Sequence, residues 1–243
     1  MNRLVALIVS GSLLCSANLF AARTRPAQPP NPPTNTTTAN WGAQVSNGVG
    51  LLNGTPLANG SGDLVMLGAF LDPTTHVALS GAQIVAASFS TLQADWVQFG
   101  GTVIGAGNPN GAGSGSDGYW TGVSTASAST LLLSGDKVYY WVLNAPTFNG
   151  ATQQGIFTSG SSAWVFPNDT VTPQSMTTDI SDVPHTLGAN GGILIGNFGV
   201  GTSRDGASPL FNLAAIGVPE PSTLALIGFA LVGAPVVFLR RRK

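Results

Sequence analysis

Breakers recur so often along this chain that long helices have little room to form. With 32 Gly and 16 Pro in 243 residues, the stretches between turn-forming clusters have the length of strands. Runs rich in branched and aromatic residues fall at 63–71, 101–104, 119–124, 137–143, 155–158, 163–166, 193–200 and 209–216. Gly permits positive φ, Pro fixes φ and lacks a donor, and Asn and Asp bond to their own backbone, so each cluster between runs reads as a turn. The pattern predicts a mostly β domain, and of the sandwich and barrel solutions we expect an antiparallel, jelly-roll-like β-sandwich.

The run Lys137-Val138-Tyr139-Tyr140-Trp141-Val142-Leu143 is apolar on both faces after its lysine. A strand of that kind belongs in the centre of a sheet with both faces covered. Ser134-Gly135-Asp136 should turn the chain into it, and Asn144-Ala145-Pro146 should end it. Gly68 interrupts the run 63–71 and predicts a bulge. One short helix is expected: Ser90-Thr91-Leu92-Gln93 has the form of a capping box, and Leu92, Trp96 and Phe99 stand at helical spacing before Gly100-Gly101. Its apolar stripe should lie on a sheet or cover an open end of the sandwich.

The two ends differ from this middle. From Leu224 to Leu239 the chain carries no charge, and Arg240, Arg241, Arg242 and Lys243 close it. As a helix the apolar run would be about 24 Å long, and snorkelling cations extend its reach toward a hydrocarbon core of about 30 Å. Pro235 should kink it. Positive charge stays in the cytoplasm, which places Pro219-Glu220-Pro221 on the outer side of the membrane. At the other end Met1-Asn2-Arg3, the apolar stretch 4–20 and Ala21-Ala22 read as a secretory signal peptide over residues 1–22.

The C-terminal segment resembles the PEP-CTERM sorting signal of exported proteins in Gram-negative bacteria. Val218-Pro219-Glu220-Pro221-Ser222-Thr223 matches the family's motif, and the motif, apolar run and basic stop come in the family's order. The resemblance implies an exosortase, an integral-membrane cysteine protease or transpeptidase, as partner, acting after the secretion translocon. It implies passage through the inner membrane, then release or transfer to the cell envelope, surface or extracellular matrix. A plain membrane anchor is the competing reading. The domain plan is a signal peptide (1–22), a Pro/Thr-rich linker (23–40), a β-rich extracytoplasmic domain (41–216) and the sorting signal (217–243, with motif 218–223, transmembrane run 224–239 and basic tail 240–243).

Charge then separates along the same lines. Between Pro26 and Pro219 only Lys137 and Arg204 are positive against nine aspartates, a formal charge of −7. Such a body has no cationic footprint for phosphates, which argues against nucleic acid as a partner. Cys15 is the only cysteine and would leave with the signal peptide, so no disulfide or thiolate ligand is expected.

Motifs for chemistry are sparse, and we expect no catalytic residue, cofactor or metal. His76 and His185 are the only imidazoles. Asp179 and Asp182 followed by His185 form the densest acid-imidazole group, read as a turn beside Pro184. Ser134-Gly-Asp-Lys137 spells SxxK in a turn, where the helix that motif needs is lacking. Gly113, Gly115 and Gly118 spell GxGxxG, but strand-like residues follow where a phosphate-binding helix would start. Ala112 to Trp120 approaches a single calcium nonapeptide with Asp117, and one copy cannot stack into a β-roll.

Three functions follow from these features. The first is an exported, non-enzymatic cell-surface or exopolysaccharide-matrix protein. The second is a carbohydrate-binding module using Trp41, Trp96, Trp120, Trp141, Trp164, Tyr119, Tyr139 and Tyr140, for which at least two co-planar exposed rings on one sheet face would be required. The third is a hydrolase with a dispersed site at His76, His185 and Asp182.

Overall fold

The computed structural model describes residues 36–43, 47–106, 117–169, 172–188, 191–202 and 208–217. The expected signal peptide, most of the linker, the glycine loop at 107–116 and the sorting motif with its apolar run and basic stop lie outside them. Among the described residues no helix is long and apolar enough to cross a membrane.

The fold is mostly β, in three sheets. The strands are β1 (Thr37–Ala43), β2 (Val49–Gly50), β3 (Leu64–Phe70), β4 (Trp96–Val103), β5 (Trp120–Ala126) and β6 (Tyr139–Leu143), followed by β7 (Gln153–Thr158), β8 (Gln174–Asp179), β9 (Gly192–Ile195), β10 (Asn197–Thr202), β11 (Pro209–Asn212) and β12 (Ala214–Ala215). The largest sheet runs β12-β7-β6-β3-β4, with β9 also paired to β7, and the smaller sheets run β5-β1-β8 and β10-β11-β2.

Strand β6 holds the central place that its two apolar faces predicted. All five of its residues are buried, and β3 and β7 flank it in antiparallel register. On one face Tyr140 meets Trp41 of β1 and Trp120 of β5, each with ring centroids 5.8 Å away, and Trp164 at 4.7 Å. The sheet β5-β1-β8 therefore covers this face. The Tyr140 hydroxyl donates to the Thr178 carbonyl at 2.9 Å and accepts the Gly42 N–H at 3.3 Å. Those partners let a phenol lie fully inside a core, and burial pushes its pKa well above the usual value. On the opposite face Trp141 meets Phe70, Trp96, Phe89 and Phe148 at 5.0 to 5.8 Å. Its Nε1–H donates to Gln154 Oε1 at 3.0 Å.

Gly68 marks the bulge expected of it, since the β3–β4 register shifts between Leu67 and Gly68. A Cβ there would stand 2.2 Å from the Val97 carbonyl oxygen, so the close approach of two backbones requires glycine. Ser134-Gly135-Asp136 is the turn into β6: Gly135 has φ +81, and Asp136 N–H donates to Leu133 O at 2.9 Å.

Several expectations need correction. The sheets are not purely antiparallel, because β1 pairs β8 in parallel and β11 pairs β2 in parallel. Parallel neighbours need long connections, and these pairs join segments more than a hundred residues apart, beyond the reach of local pattern. Strand β1 begins at Thr37, inside the segment assigned to the linker. Its alternation of small and apolar residues was masked by the Pro/Thr-rich composition before it. Strand β8, QSMTTD, was missed for a similar reason: only Met176 and Thr178 of its inner face are buried.

The single expected helix is two: α1 (Gly81–Ala86) and α2 (Phe89–Asp95). The full capping box belongs to α1, where Ser80 and Gln83 exchange bonds, while Ser88 caps α2. Trp96 and Phe99 lie on β4 instead of the helix. Pairing with β3 along β4 on both sides of a bulge at Phe99 offers more than two further helical turns closed by Gly100-Gly101 would. The sheet-covering role survives in α2, whose Leu92 is fully buried and whose Phe89 packs edge-on to Trp141.

Candidate functional site

The described residues before the sorting motif are held by a short sequence of contacts. Asn212, at the end of β11, donates from Nδ2 to Leu51 O at 3.0 Å and accepts the Val200 N–H on Oδ1 at 3.2 Å. Leu213 is fully buried and gives its N–H to Gly50 O at 2.9 Å. Beyond it Ala214 and Ala215 lie opposite Gln154 and Gln153 of β7, and the Ile216 N–H donates to Thr152 O at 2.9 Å. Gly217 is exposed. The strand expected at 209–216 is thus broken at Leu213, which turns from one sheet to the other. Among the described residues the last of these backbone bonds is that of Ile216, and Gly217 stands between it and Val218.

The acid-imidazole group is a set of unrelated structural bonds. Asp179 caps a 3-10 turn (Ile180–Asp182), accepting the Ser181 N–H at 2.9 Å, and Asp182 returns a bond to the Asp179 N–H. Asp182 also accepts the Trp164 Nε1–H at 3.3 Å. His185 turns elsewhere: its ring stacks on Phe198 with centroids 3.7 Å apart, and its Nε2 lies 3.3 Å from Asn47 Nδ2. His76 is exposed in the 72–78 turn at φ +59. There Asp72 Oδ1 accepts the N–H groups of Thr74 and Thr75 at 2.8 and 2.7 Å, and these bonds hold its carboxyl below the usual range. The three hydrolase candidates have different surroundings: Asp182 bonds to Asp179 and Trp164, His185 lies against Phe198 and Asn47, and His76 stands in an exposed turn.

Asp117, the aspartate of the calcium-like nonapeptide, accepts the Asn59 N–H at 2.8 Å. Ser134 and Lys137 flank a turn, as expected. No group of three or more His, Cys, Asp or Glu side chains capable of holding a metal occurs among the described residues.

The aromatic residues are core. Trp41, Trp120, Trp141, Trp164 and Tyr140 have no exposure, Tyr119 and Tyr139 are 8% and 4% exposed, and Trp96 is half-buried against Phe70 and Trp141. Burial and the neighbouring Asp136 charge push the Tyr139 phenol up to about 12. No pair of these rings forms an exposed platform among the described residues, so they do not meet the condition set for sugar stacking.

One structural acid escaped the sequence reading. Asp169 is buried and clamps the 127–134 loop: it accepts the Ala128 N–H at 2.6 Å, the Ser129 N–H at 3.0 Å and the Ser129 hydroxyl. Burial raises its pKa, but the bonds from Ser129, Ala128 and Ser127 outweigh that and leave the carboxyl below its usual range. A shallow cavity of about 360 Å³ lies beside this clamp, lined by Ser129, Leu132, Ser134 and Asn168. The available signal was the Ser127-Ala-Ser129 sequence, a donor set without a visible acceptor forty residues away.

The described residues define a β-rich body in which Asp169, Asp179 and Asp182 bond to its own loops, joined at Ile216 to a C-terminal segment that has the character of a sorting signal. Residues 217–243 match the family model described as the PEP-CTERM protein-sorting motif. That motif is an exosortase-targeted sorting signal and marks export with membrane-associated processing. No curated protein and no solved structure matches the chain.

Proposed function

We propose that this is a non-enzymatic protein of the cell surface or exopolysaccharide matrix of a Gram-negative bacterium, exported by its N-terminal signal and processed at Val218–Thr223 by an exosortase. The body is read as a two-layer sandwich without an active site, whose role is structural or adhesive. The observation that carries the reading is the division of labour at Ile216. Before it, the aromatic rings pack on one another and the buried Asp169 is engaged with backbone; after it, the chain matches a sorting signal over its remaining length. The structural bonds that occupy Asp182 and His185 with different partners favour a role without catalysis, and the buried indoles favour a structural body over a sugar-stacking one. In this reading the apolar run 224–239 lodges in the inner membrane and Arg240, Arg241, Arg242 and Lys243 hold it there until the chain is cut.

The test is intact mass and fractionation of the protein in hosts with and without the exosortase. We expect loss of residues at both ends in the normal host, and a basic tail retained in the membrane fraction when the enzyme is missing. A full-length C-terminus in both hosts would reduce the tail to a plain anchor.

A further inference from the structure

We propose that strand β12 is a detachable latch, and that its release from β7 gives the sorting enzyme enough free chain to take hold of the motif. The inference rests on the sorting function proposed above.

The argument begins with length. Ile216 is bonded to Thr152, so with β12 seated only Gly217 lies between the last described bond and the six motif residues. From Ile216 to the start of the apolar run at Leu224 the seven intervening residues reach at most about 25 Å when extended. A protease or transpeptidase holds substrate extended on both sides of the bond it attacks, and the motif alone accounts for about 20 Å of that chain. The seated body would therefore lie against the enzyme or the lipid surface. Releasing Ala214, Ala215 and Ile216 lengthens the free chain to ten residues, or about 35 Å.

The structure is built for that release to stop at a fixed point. Strand β12 has two residues, ends the largest sheet, and carries alanines, of which Ala215 is exposed. Ile216, released with them, is half-buried and does not belong to the core cluster. Strand β7 does not depend on β12 for its position: Asn144 Oδ1 accepts the N–H groups of Thr152 and Gln153 at 2.9 and 2.8 Å from the opposite side. Immediately before the latch, Leu213 is fully buried and bonded to Gly50. Peeling would run from Gly217 back to Ala214 and halt at Leu213. Short edge segments with few buried apolar contacts are the parts of a fold that open locally without global unfolding.

The test locks the latch in the full-length protein. Gln153 and Ala215 are opposite one another across the strands, and Cys15 is the only native cysteine, so Gln153→Cys with Ala215→Cys gives one cross-strand disulfide. The pair Gln153→Ser with Ala215→Ser is the control for loss of the native side chains. Processing is followed by pulse-chase in membranes of the exosortase-positive host, with and without reductant. We expect the oxidised variant to be cut at least about ten-fold more slowly than the serine control, with the rate restored on reduction. A Gly-Ser spacer about six residues long, inserted after Gly217, should make the oxidised variant insensitive to the lock.

An oxidised variant cut as fast as the control overturns the latch, as does failure of the two cysteines to bond, since that denies the pairing. An oxidised spacer variant that stays slow also overturns it, because the free length would then not be what limits the enzyme. If the unmodified protein is left uncut in the exosortase-positive host, the sorting reading itself fails, which is a distinct result.

Discussion

In the body, charges are scattered and occupied. Asp72, Asp117, Asp169 and Asp182 each accept a backbone or indole N–H, and each is tied to one turn or loop. In the 27 residues of the sorting segment the single acid, Glu220, stands between two prolines, and four cations stand together at the end. The contrast shows where a chain keeps its information. Side chains engaged within a fold are not available to an outside partner, whereas the sorting segment is matched through its order of residues.

The largest expected effect that separates the two regions is replacement of Pro219, Glu220 and Pro221 by alanine. Processing should fall to the level seen without the exosortase, while urea unfolding of the body shifts by less than about 0.5 kcal/mol. Trp141→Ala should do the reverse. Loss of a fully buried indole costs about 3–5 kcal/mol, read as a lower urea midpoint, and the motif remains a substrate wherever the chain is exported. If Trp141→Ala left stability untouched, the core assignment would be wrong.

Asp169→Ala comes next, at about 1–3 kcal/mol, because the Ala128 and Ser129 N–H groups lose their acceptor inside the protein. Its pH dependence has a definite sign. The folded carboxyl titrates below its unfolded value, so its contribution is present above the ordinary aspartate range and is lost as pH falls through the lower folded value. Asp63 and Asp95 act in the opposite sense. Burial raises both, so they cost stability as pH rises from the unfolded value through the folded one. Unfolding curves between about pH 2 and pH 6 should show the acid-side loss shrink in Asp169→Asn and the opposing rise shrink in Asp63→Asn. The smallest effect belongs to His185→Ala: about 1 kcal/mol or less from the lost stacking on Phe198, and no change in processing. A large loss of processing there would join the two regions that the present account separates.

Much of this contrast was legible in the sequence. The two-faced apolar run at 138–143 announced the centre of a sheet, and Gly68 announced its bulge, because both signals are local. The sorting segment was legible because its recognition depends on order and spacing. What failed was long-range. Nothing near Thr37 indicates that β1 will pair in parallel with Gln174–Asp179, and nothing near Leu92 indicates that β3 will claim Trp96 and Phe99 for a strand. Likewise, Asp179, Asp182 and His185 are close in sequence, yet a 3-10 turn and the Phe198 ring send them to different partners. The Asp169 clamp was missed because its donors and acceptor are forty residues apart. The exit at Leu213 was missed because 209–216 looks continuous until its two sheets are seen.

The most direct test of the account is to graft residues 217–243 onto an unrelated exported protein that lacks a tail of its own, and to measure the intact mass of the product. If the sorting segment acts by its own sequence, the fusion loses its basic C-terminus in a host with the exosortase and keeps it, membrane-bound, in a host without. A fusion that stays full length in both hosts, while the native chain is cut in the first, would contradict it by placing the address in the body.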